Sequence, residues 1–469
     1  MKALAWWAGC VLLCGCSFTR FDSDECSANA DCRSAFGIGF VCADDGLCAP
    51  APEEPRCATT FPPDLLSNPG DRIVLATMGD YSLLTHVARA NAVELALDDA
   101  NDSGGLEGRD FALIRCDIRE DATMFDGNTR LEASLQVAQW LEDVAGVPVV
   151  IGPPGSDEVI MTYGATHDVV LMSPSATSPR LTSLESTPSD AAPGRVWRTA
   201  PPDVEQAIQI GADVRSRGGM DVMLVAQTGA YGDGLAELLT PEIPGMTVVR
   251  FSTEGQLTSA LGMAADAMAP EVIIASSDTD DYIDFLTAAI SEAGLTDTRF
   301  FLTDAAANQD FVGRLPDNPA LRARIRGTRP SKDPELADEF ERRYRVAYGD
   351  DPLDLLSFTA HSYDAGWLSL YAIVWSLQQE GGVTPLGVSR GLRQLSSGTA
   401  LNVGDLTWTS VIEEFSAGRS IDIRGASGAL DYDPATEERS ESGQSFEVWL
   451  LNDAGDSICR VDDAACISG

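Results

Sequence analysis

The sequence predicts an α/β fold built as two lobes, on three observations. Short apolar runs rich in Val, Ile and Leu alternate with segments of helical periodicity from Arg72 to Met172, and the same rhythm resumes from Val222 to Leu302. This βαβ alternation implies parallel sheets with right-handed crossovers and helices on both faces. After Gly327 the chain turns mostly helical and then offers one more strand run, Phe446 to Leu451, so late segments return to units begun earlier.

The first element is a leader. Met1-Lys2 precedes an apolar run from Ala3 to Leu13, too short to span a bilayer as an ordinary helix. It ends in Leu13-Cys14-Gly15-Cys16, which is similar to the lipobox of bacterial lipoprotein signals. The resemblance implies that residues 1–15 are removed and that Cys16 takes lipid on its thiol and new amino terminus. More than one acyl chain gives stable anchoring. The other reading is an ordinary signal peptide, cleaved elsewhere, that releases a secreted protein.

Residues 16–58 read as a tether carrying a small Cys-rich module. With Cys10 and Cys14 lost and Cys16 lipidated, eight cysteines remain: Cys26, Cys32, Cys42, Cys48, Cys57, Cys116, Cys459 and Cys466. An even number in an exported chain reads as disulfides. The stretch around Cys26, Cys32, Cys42 and Cys48 has few large apolar residues, so cross-links are its natural support. Cys459 and Cys466 are near enough to close one small loop, which leaves Cys57 for Cys116. Pairing among the N-terminal four stays open, and a zinc site there is the competing reading, although the spacings are not those of zinc knuckles. Pro50, Pro52 and Pro55 with Glu53 and Glu54 mark a stiff, charged linker.

The main body then unfolds in order. Ile73 to Thr77 is a buried-strand run. Val87, Ala90, Val93, Leu97 and Ala100 recur at helical spacing, and Gly104-Gly105 ends that helix. Strands follow at Phe111 to Ile114, Val147 to Ile151 and Val169 to Met172, with a helix over Leu131 to Val144. Beyond Pro201-Pro202 come strands at Val222 to Val225, Thr247 to Phe251, Val272 to Ala275 and Arg299 to Leu302. Helices are expected at Leu235 to Leu239, Leu257 to Met268 and Tyr282 to Ala293. The late helices are Pro334 to Tyr348, His361 to Leu377 and Leu386 to Leu395.

Composition excludes several functions. The 469 residues hold 32 Lys and Arg against 72 Asp and Glu, a net charge of −40. Such an anion repels phosphates, so no nucleic-acid partner is expected. His86, His167 and His361 lie far apart, without metal-ligand spacing, so no metal and no cofactor are expected. No G-x-S-x-G elbow, H-E-x-x-H or P-loop is present, so the chain is not read as an enzyme.

Residues 72 to about 452 resemble the type I periplasmic binding proteins, in particular the branched-chain amino-acid binding proteins of ABC transporters and related receptor ligand-binding regions. The resemblance is carried by Glu94-Leu95-Ala96-Leu97, Asn101 with Gly104-Gly105-Leu106-Glu107-Gly108-Arg109, Ile151-Gly152-Pro153 with Ser156, and Met172-Ser173-Pro174-Ser175-Ala176-Thr177-Ser178-Pro179. Arg198-Thr199-Ala200-Pro201, Gly327-Thr328 and Ser427 to Asp433 resemble the three interlobe crossings, and Tyr231-Gly232-Asp233-Gly234 resembles the start of the first helix of the second lobe. The family implies a parallel sheet flanked by helices in each lobe, a ligand in the cleft, and closure on binding. On this resemblance 72–199 plus 329–427 form lobe 1, and 200–328 plus 428–469 form lobe 2.

A zwitterion needs an anion site and a cation site away from water. Gly155 and Ser156 lead into a helix whose free amides, with the Ser156 hydroxyl, make a carboxylate cradle; as a bland alternative Ser156 only caps that helix. By resemblance Ser175 and Thr177 complete the cradle, Tyr231 is the aromatic contact of the facing lobe, and Asp304 holds the ligand ammonium. Asp278 or Asp280 could assist, and Tyr81 faces the cleft rim by analogy. The sequence departs from the family at Pro153-Pro154-Gly155, at Ala305-Ala306-Ala307 and in its Cys-rich module. The expectation is an extracytoplasmic, monomeric lipoprotein that captures an amino acid or similar small polar ligand for an ABC permease. A ligand-sensing or structural surface lipoprotein is the alternative.

Overall fold

The computed structural model describes residues 25–185, 187–219, 221–440 and 446–468. The leader and the proposed lipid site at Cys16 lie outside them. Among the described residues no helix is long and apolar enough to cross a membrane.

The N-terminal module is a helix, Asn29–Phe36, against a hairpin of Phe40–Cys42 and Cys48–Pro50. Two interleaved disulfides, Cys26–Cys42 and Cys32–Cys48, hold it. Although the Cys26, Cys32 and Cys42 sulfurs lie within 4.8 Å of one another, a disulfide sulfur is not a thiolate and makes no zinc ligand. The module docks on the first lobe. Asn29 Nδ2 and Arg33 Nη1 both donate to the Asp143 carbonyl, and Trp140 Nε1 donates to the Pro52 carbonyl.

The first sheet has six strands in the order Thr59–Phe61, Phe111–Asp117, Ile73–Gly79, Val149–Ile151, Val170–Ser173, Val196–Arg198. All pairs are parallel except that of Thr59–Phe61. Cys57–Cys116 ties this edge to the sheet. The core on one face forms around the helix Thr359–Glu380, whose Trp367 packs among Tyr363, Tyr371 and Trp408 and against the helix Leu84–Asp102.

The second sheet has seven strands in the order Thr247–Phe251, Val222–Gln227, Glu271–Ala275, Arg299–Leu302, Ile325–Pro330, Phe446–Leu451, Ile458–Arg460. The last two pair antiparallel, and Cys459–Cys466 closes the terminus. Gly327 lies under Trp449: a Cβ there would come within 2.3 Å of the indole, so the strand returning to the first lobe needs a glycine.

The chain passes between the lobes three times, after Arg198, after Pro330 and after Ser440. The third passage differs from the expected one. Leu430 and Tyr432 are core residues of the first lobe, with Tyr432 edge-on to Trp197 and its hydroxyl donating to the Arg198 carbonyl. The segment up to Ser440 therefore belongs to lobe 1, not to lobe 2. The helix Asp203–Ser216, which begins directly after Pro202, was not expected at all; its Ala207, Ile210 and Val214 pack on the second sheet.

Candidate functional site

Ligands of open α/β sheets bind beyond the carboxyl ends of the strands, where the strand order reverses. In the first sheet that point lies between Ile73–Gly79 and its neighbours; in the second, between Val222–Gln227 and Glu271–Ala275. The loops leaving these strands face one another across a cleft of about 610 Å³. That volume suits a small molecule. The cleft is lined by Gly155, Ser156, Ser175, Thr177, Tyr231, Asp278 and Asp304, so the structure brings together these sequence-predicted residues. Tyr81 is not among them. Its ring folds back over Gly79, and its hydroxyl is buried beside Thr77.

On the lobe 1 wall, the helix Ser156–Ala165 has Gly155 as its N-cap, so Ser156 is the first helical residue and not the cap. The first amides of a helix have no carbonyl four residues back to bond. A side chain at Gly155 would strike Glu158, whose carboxylate would lie 1.9 Å from a Cβ there, so glycine keeps this corner open. Ser156 Oγ accepts from the Ser178 amide at 3.2 Å, which leaves its hydroxyl hydrogen available. Ser175 has a different task. Its Oγ donates to the Pro154 carbonyl at 2.9 Å and accepts from Arg89 Nη1 at 3.1 Å. Thr177 is buried at the first crossing, with its carbonyl accepting from the Asp203 amide.

On the lobe 2 wall, Asp304 follows the strand Arg299–Leu302 and is only 3% exposed. Its Oδ1 accepts from Gln206 Nε2 at 2.7 Å and from the Tyr231 hydroxyl. Burial raises the Asp304 pKa, while Tyr231, Gln206 and Arg89 oppose the shift. Asp203, fully buried, is raised well above the carboxylate range by burial and then by Asp304. Burial and Asp304 likewise raise the Tyr231 phenol, so it stays a hydrogen-bond donor. Asp278 reaches the cleft but also caps the helix Thr279–Ala289, accepting from the Asp280 amide at 3.0 Å.

Sequence reasoning missed Arg89, Arg130 and Gln206. Arg130, at the start of the helix Arg130–Trp140, pairs with Glu158 at 2.6 Å. Gln206 lies one turn into the unexpected helix after Pro202. Arg89 sits on the helix Leu84–Asp102 among small apolar residues; a cation there, in so acidic a chain, was the available signal. His86 is a neutral imidazole, its pKa driven well below the usual value by burial and then by Arg89 and Arg130, and its Nδ1 accepts from the Asp80 amide.

The lobes also touch at the cleft edge. Asp157 accepts from the Ala230 amide at 2.9 Å and so caps, across the gap, the helix Ala230–Glu242. Ser178 Oγ donates to the Ala230 carbonyl at 2.6 Å. The site thus offers donors on one wall and a buried carboxylate on the other, which suits recognition of a small dipolar molecule.

The periplasmic binding protein family model matches residues 74–410. A chemotactic signal transduction system substrate-binding protein, BasB of Halobacterium salinarum, is 25% identical over 381 residues, covering 78% of this chain and 82% of its own. Among solved structures, an ABC transporter substrate-binding protein from Desulfitobacterium hafniense in complex with Leu is 21% identical with a TM-score of 0.59; the match covers 83% of this chain and all of that one. LivJ from Streptococcus pneumoniae, a branched-chain amino acid transporter substrate-binding protein in complex with isoleucine, is 17% identical with a TM-score of 0.61 over 83% of this chain and all of its own. The leucine-binding protein LivK from Thermotoga maritima is 15% identical with a TM-score of 0.63, over 83% of this chain and 97% of its own.

Proposed function

Because the chain belongs to the type I periplasmic binding proteins, whose members bind solutes and are not enzymes, we propose that it captures an amino acid or a similar small zwitterion by hinge closure outside the cytoplasm. The observation that carries this reading is the opposition of the two walls: the open start of the helix Ser156–Ala165 faces the buried Asp304 and Tyr231 across a 610 Å³ cleft. Helix-terminal amides and the Ser156 hydroxyl receive the carboxylate. The ammonium goes to Asp304, whose charged form it would stabilise. Closure then shifts the population toward the state with contacts on both walls.

Isothermal titration against the twenty L-amino acids tests the reading. One-to-one binding of at least one of them, with a fall in the solution radius of gyration, is expected; flat heats throughout from well-folded protein would sink it. A lipid anchor at Cys16 accords with the Cys-rich module that follows it in sequence, which is fastened to lobe 1 through Asn29 and Arg33. Cys16→Ser is expected to move the protein from the membrane fraction to the soluble one.

Delivery to an ABC permease is the transport form of this function. A sensing form has its own support, since the relative from Halobacterium salinarum is a chemotactic substrate-binding protein. Ligand-dependent co-purification separates them: a permease partner indicates import, a signalling receptor indicates sensing.

A further inference from the structure

Three arginines line the cleft: Arg89, Arg130 and Arg314. Two are neutralised by the protein. Arg130 pairs with Glu158 at 2.6 Å, and Arg314 pairs with Asp280 at 2.6 Å and Asp310 at 2.8 Å. Arg89 touches no carboxylate among the described residues. Its contacts are neutral: Nε donates to the Ser357 carbonyl at 2.9 Å, Nη1 donates to Ser175 Oγ at 3.1 Å, and the guanidinium lies 5.2 Å from the centre of the Phe358 ring. In a chain of 72 acids and 32 bases, a half-buried guanidinium that meets only neutral groups is out of balance.

These three contacts hold the group rather than neutralise it. Among the described residues both hydrogens of Nη2 and one of Nη1 have no protein acceptor, and this is the edge a carboxylate engages with two parallel bonds. Phe358 is itself held unusually, at φ 66°, a backbone angle rare for a bulky residue and expected where the surroundings enforce it. Ser175 links Arg89 to the Pro154 carbonyl, next to the open helix start at Gly155 and Ser156. Across the cleft, Asp304 feels the Arg89 charge, yet the two are not in contact as an ion pair.

We propose that Arg89 is the charged partner of the carboxylate that the helix amides and Ser156 receive, and that a free carboxylate is therefore obligatory in the ligand. The inference rests on the binding reading above and deepens it. A zwitterion inserted between Arg89 and Asp304 completes both charges at once, while amines, sugars and amino-acid amides leave the guanidinium unpaired. Ser175 is then a positioning residue whose hydroxyl aims Arg89 and does not itself hold the ligand.

The test crosses a change in the protein with the matching change in the ligand. The tightest amino acid from the titration panel and its carboxamide are measured against wild type, Arg89→Gln and Arg89→Lys. Arg89→Gln is expected to weaken the acid about 100-fold, as loss of a buried charge partner does. It should change the carboxamide by less than about threefold. Arg89→Lys, which keeps the charge but not the fork, is expected to fall between. Unliganded melting temperatures of the variants report any structural loss separately. Equal weakening of acid and amide by Arg89→Gln overturns the proposal. If no amino acid binds wild type, the functional reading fails by itself, and the anchor is then tested with acetate and succinate in a thermal-shift series at fixed ionic strength. Stabilisation of wild type but not of Arg89→Gln sustains the anchor; equal response of the two overturns it.

Discussion

Asp304→Asn should move affinity and stability in opposite directions. The carboxylate is 3% exposed, and both of its hydrogen bonds, from Gln206 Nε2 and the Tyr231 hydroxyl, end on Oδ1. Asparagine can keep Oδ1 in place with both bonds, so the substitution removes the charge and leaves the shape. A ligand ammonium that loses a buried carboxylate partner loses roughly 2–5 kcal/mol. Taking about 3 kcal/mol, the dissociation constant rises about 150-fold. The unliganded protein responds the other way. Burial raises the Asp304 pKa, and Asp203 lies buried in its field, so ionised Asp304 is an expense to the empty cleft. Removing it should stabilise the empty protein by about 1–2 kcal/mol, or roughly 1–2 °C in melting temperature for a chain of this length. The sign with pH follows. A group whose folded pKa is raised stabilises the fold below its unfolded pKa and loses that contribution as pH rises, so the advantage of Asn should grow as the pH rises over the range between the ordinary carboxylate pKa and the raised one. Titration calorimetry and thermal unfolding across that range measure both quantities. A variant that melts lower at every pH while binding normally would refute the reasoning and make Asp304 a purely structural residue.

Three further outcomes are expected. Cys57–Cys116 spans 59 residues, so the Cys57→Ser, Cys116→Ser double variant should lose about 4 kcal/mol by the loop-entropy relation, read as a lower urea midpoint. Asp364 is fully buried, accepts from the Ala426 and Ser427 amides, and has a pKa raised to about 6 by burial against those bonds. Its contribution is present at low pH and is lost as pH rises through 6. Wild type should therefore lose on the order of 1 kcal/mol between pH 5 and pH 7, a loss that Asp364→Asn, destabilised at every pH by the broken amide bond, does not show. Asp157→Ala removes the cap that lobe 1 lends to the helix Ala230–Glu242. A helix cap is worth about 1 kcal/mol, so ligand release should quicken about fivefold in stopped flow while association changes little.

Much of this architecture was legible because strands in parallel sheets are buried on both faces and read as continuous apolar runs. Val222–Gln227, Glu271–Ala275 and Arg299–Leu302 all announce themselves in that way. The helix Asp203–Ser216 did not, because Pro201-Pro202 reads as a linker while Pro202 in fact sits at the N-cap position, where a missing amide hydrogen does no harm. The last crossing was misplaced for a related reason. The glycine and aspartate around Gly428 to Asp433 look like a turn between lobes, whereas a two-residue strand at Gly428–Ala429 folds back on Ile421–Gly425 and carries Leu430 and Tyr432 into the first core. In the cleft, Ser156, Thr177, Tyr231 and Asp304 were visible through motif and position, since strand ends at a switch point are where such residues gather. Tyr81 was placed by the same logic and lies elsewhere, because the side-chain direction after Gly79 depends on the room beside His86, which no local pattern encodes. Arg89 shows the deeper limit. A guanidinium in a helix is identical on paper whether paired or not, and its meaning appears only when nearby Asp and Glu are seen to belong to other partners. Arg130 and Arg314 resemble it in sequence and have carboxylates of their own; Arg89 has a serine, a carbonyl and a ring. The functional signal is thus a missing partner, a property of the assembled charge set and not of any stretch of chain.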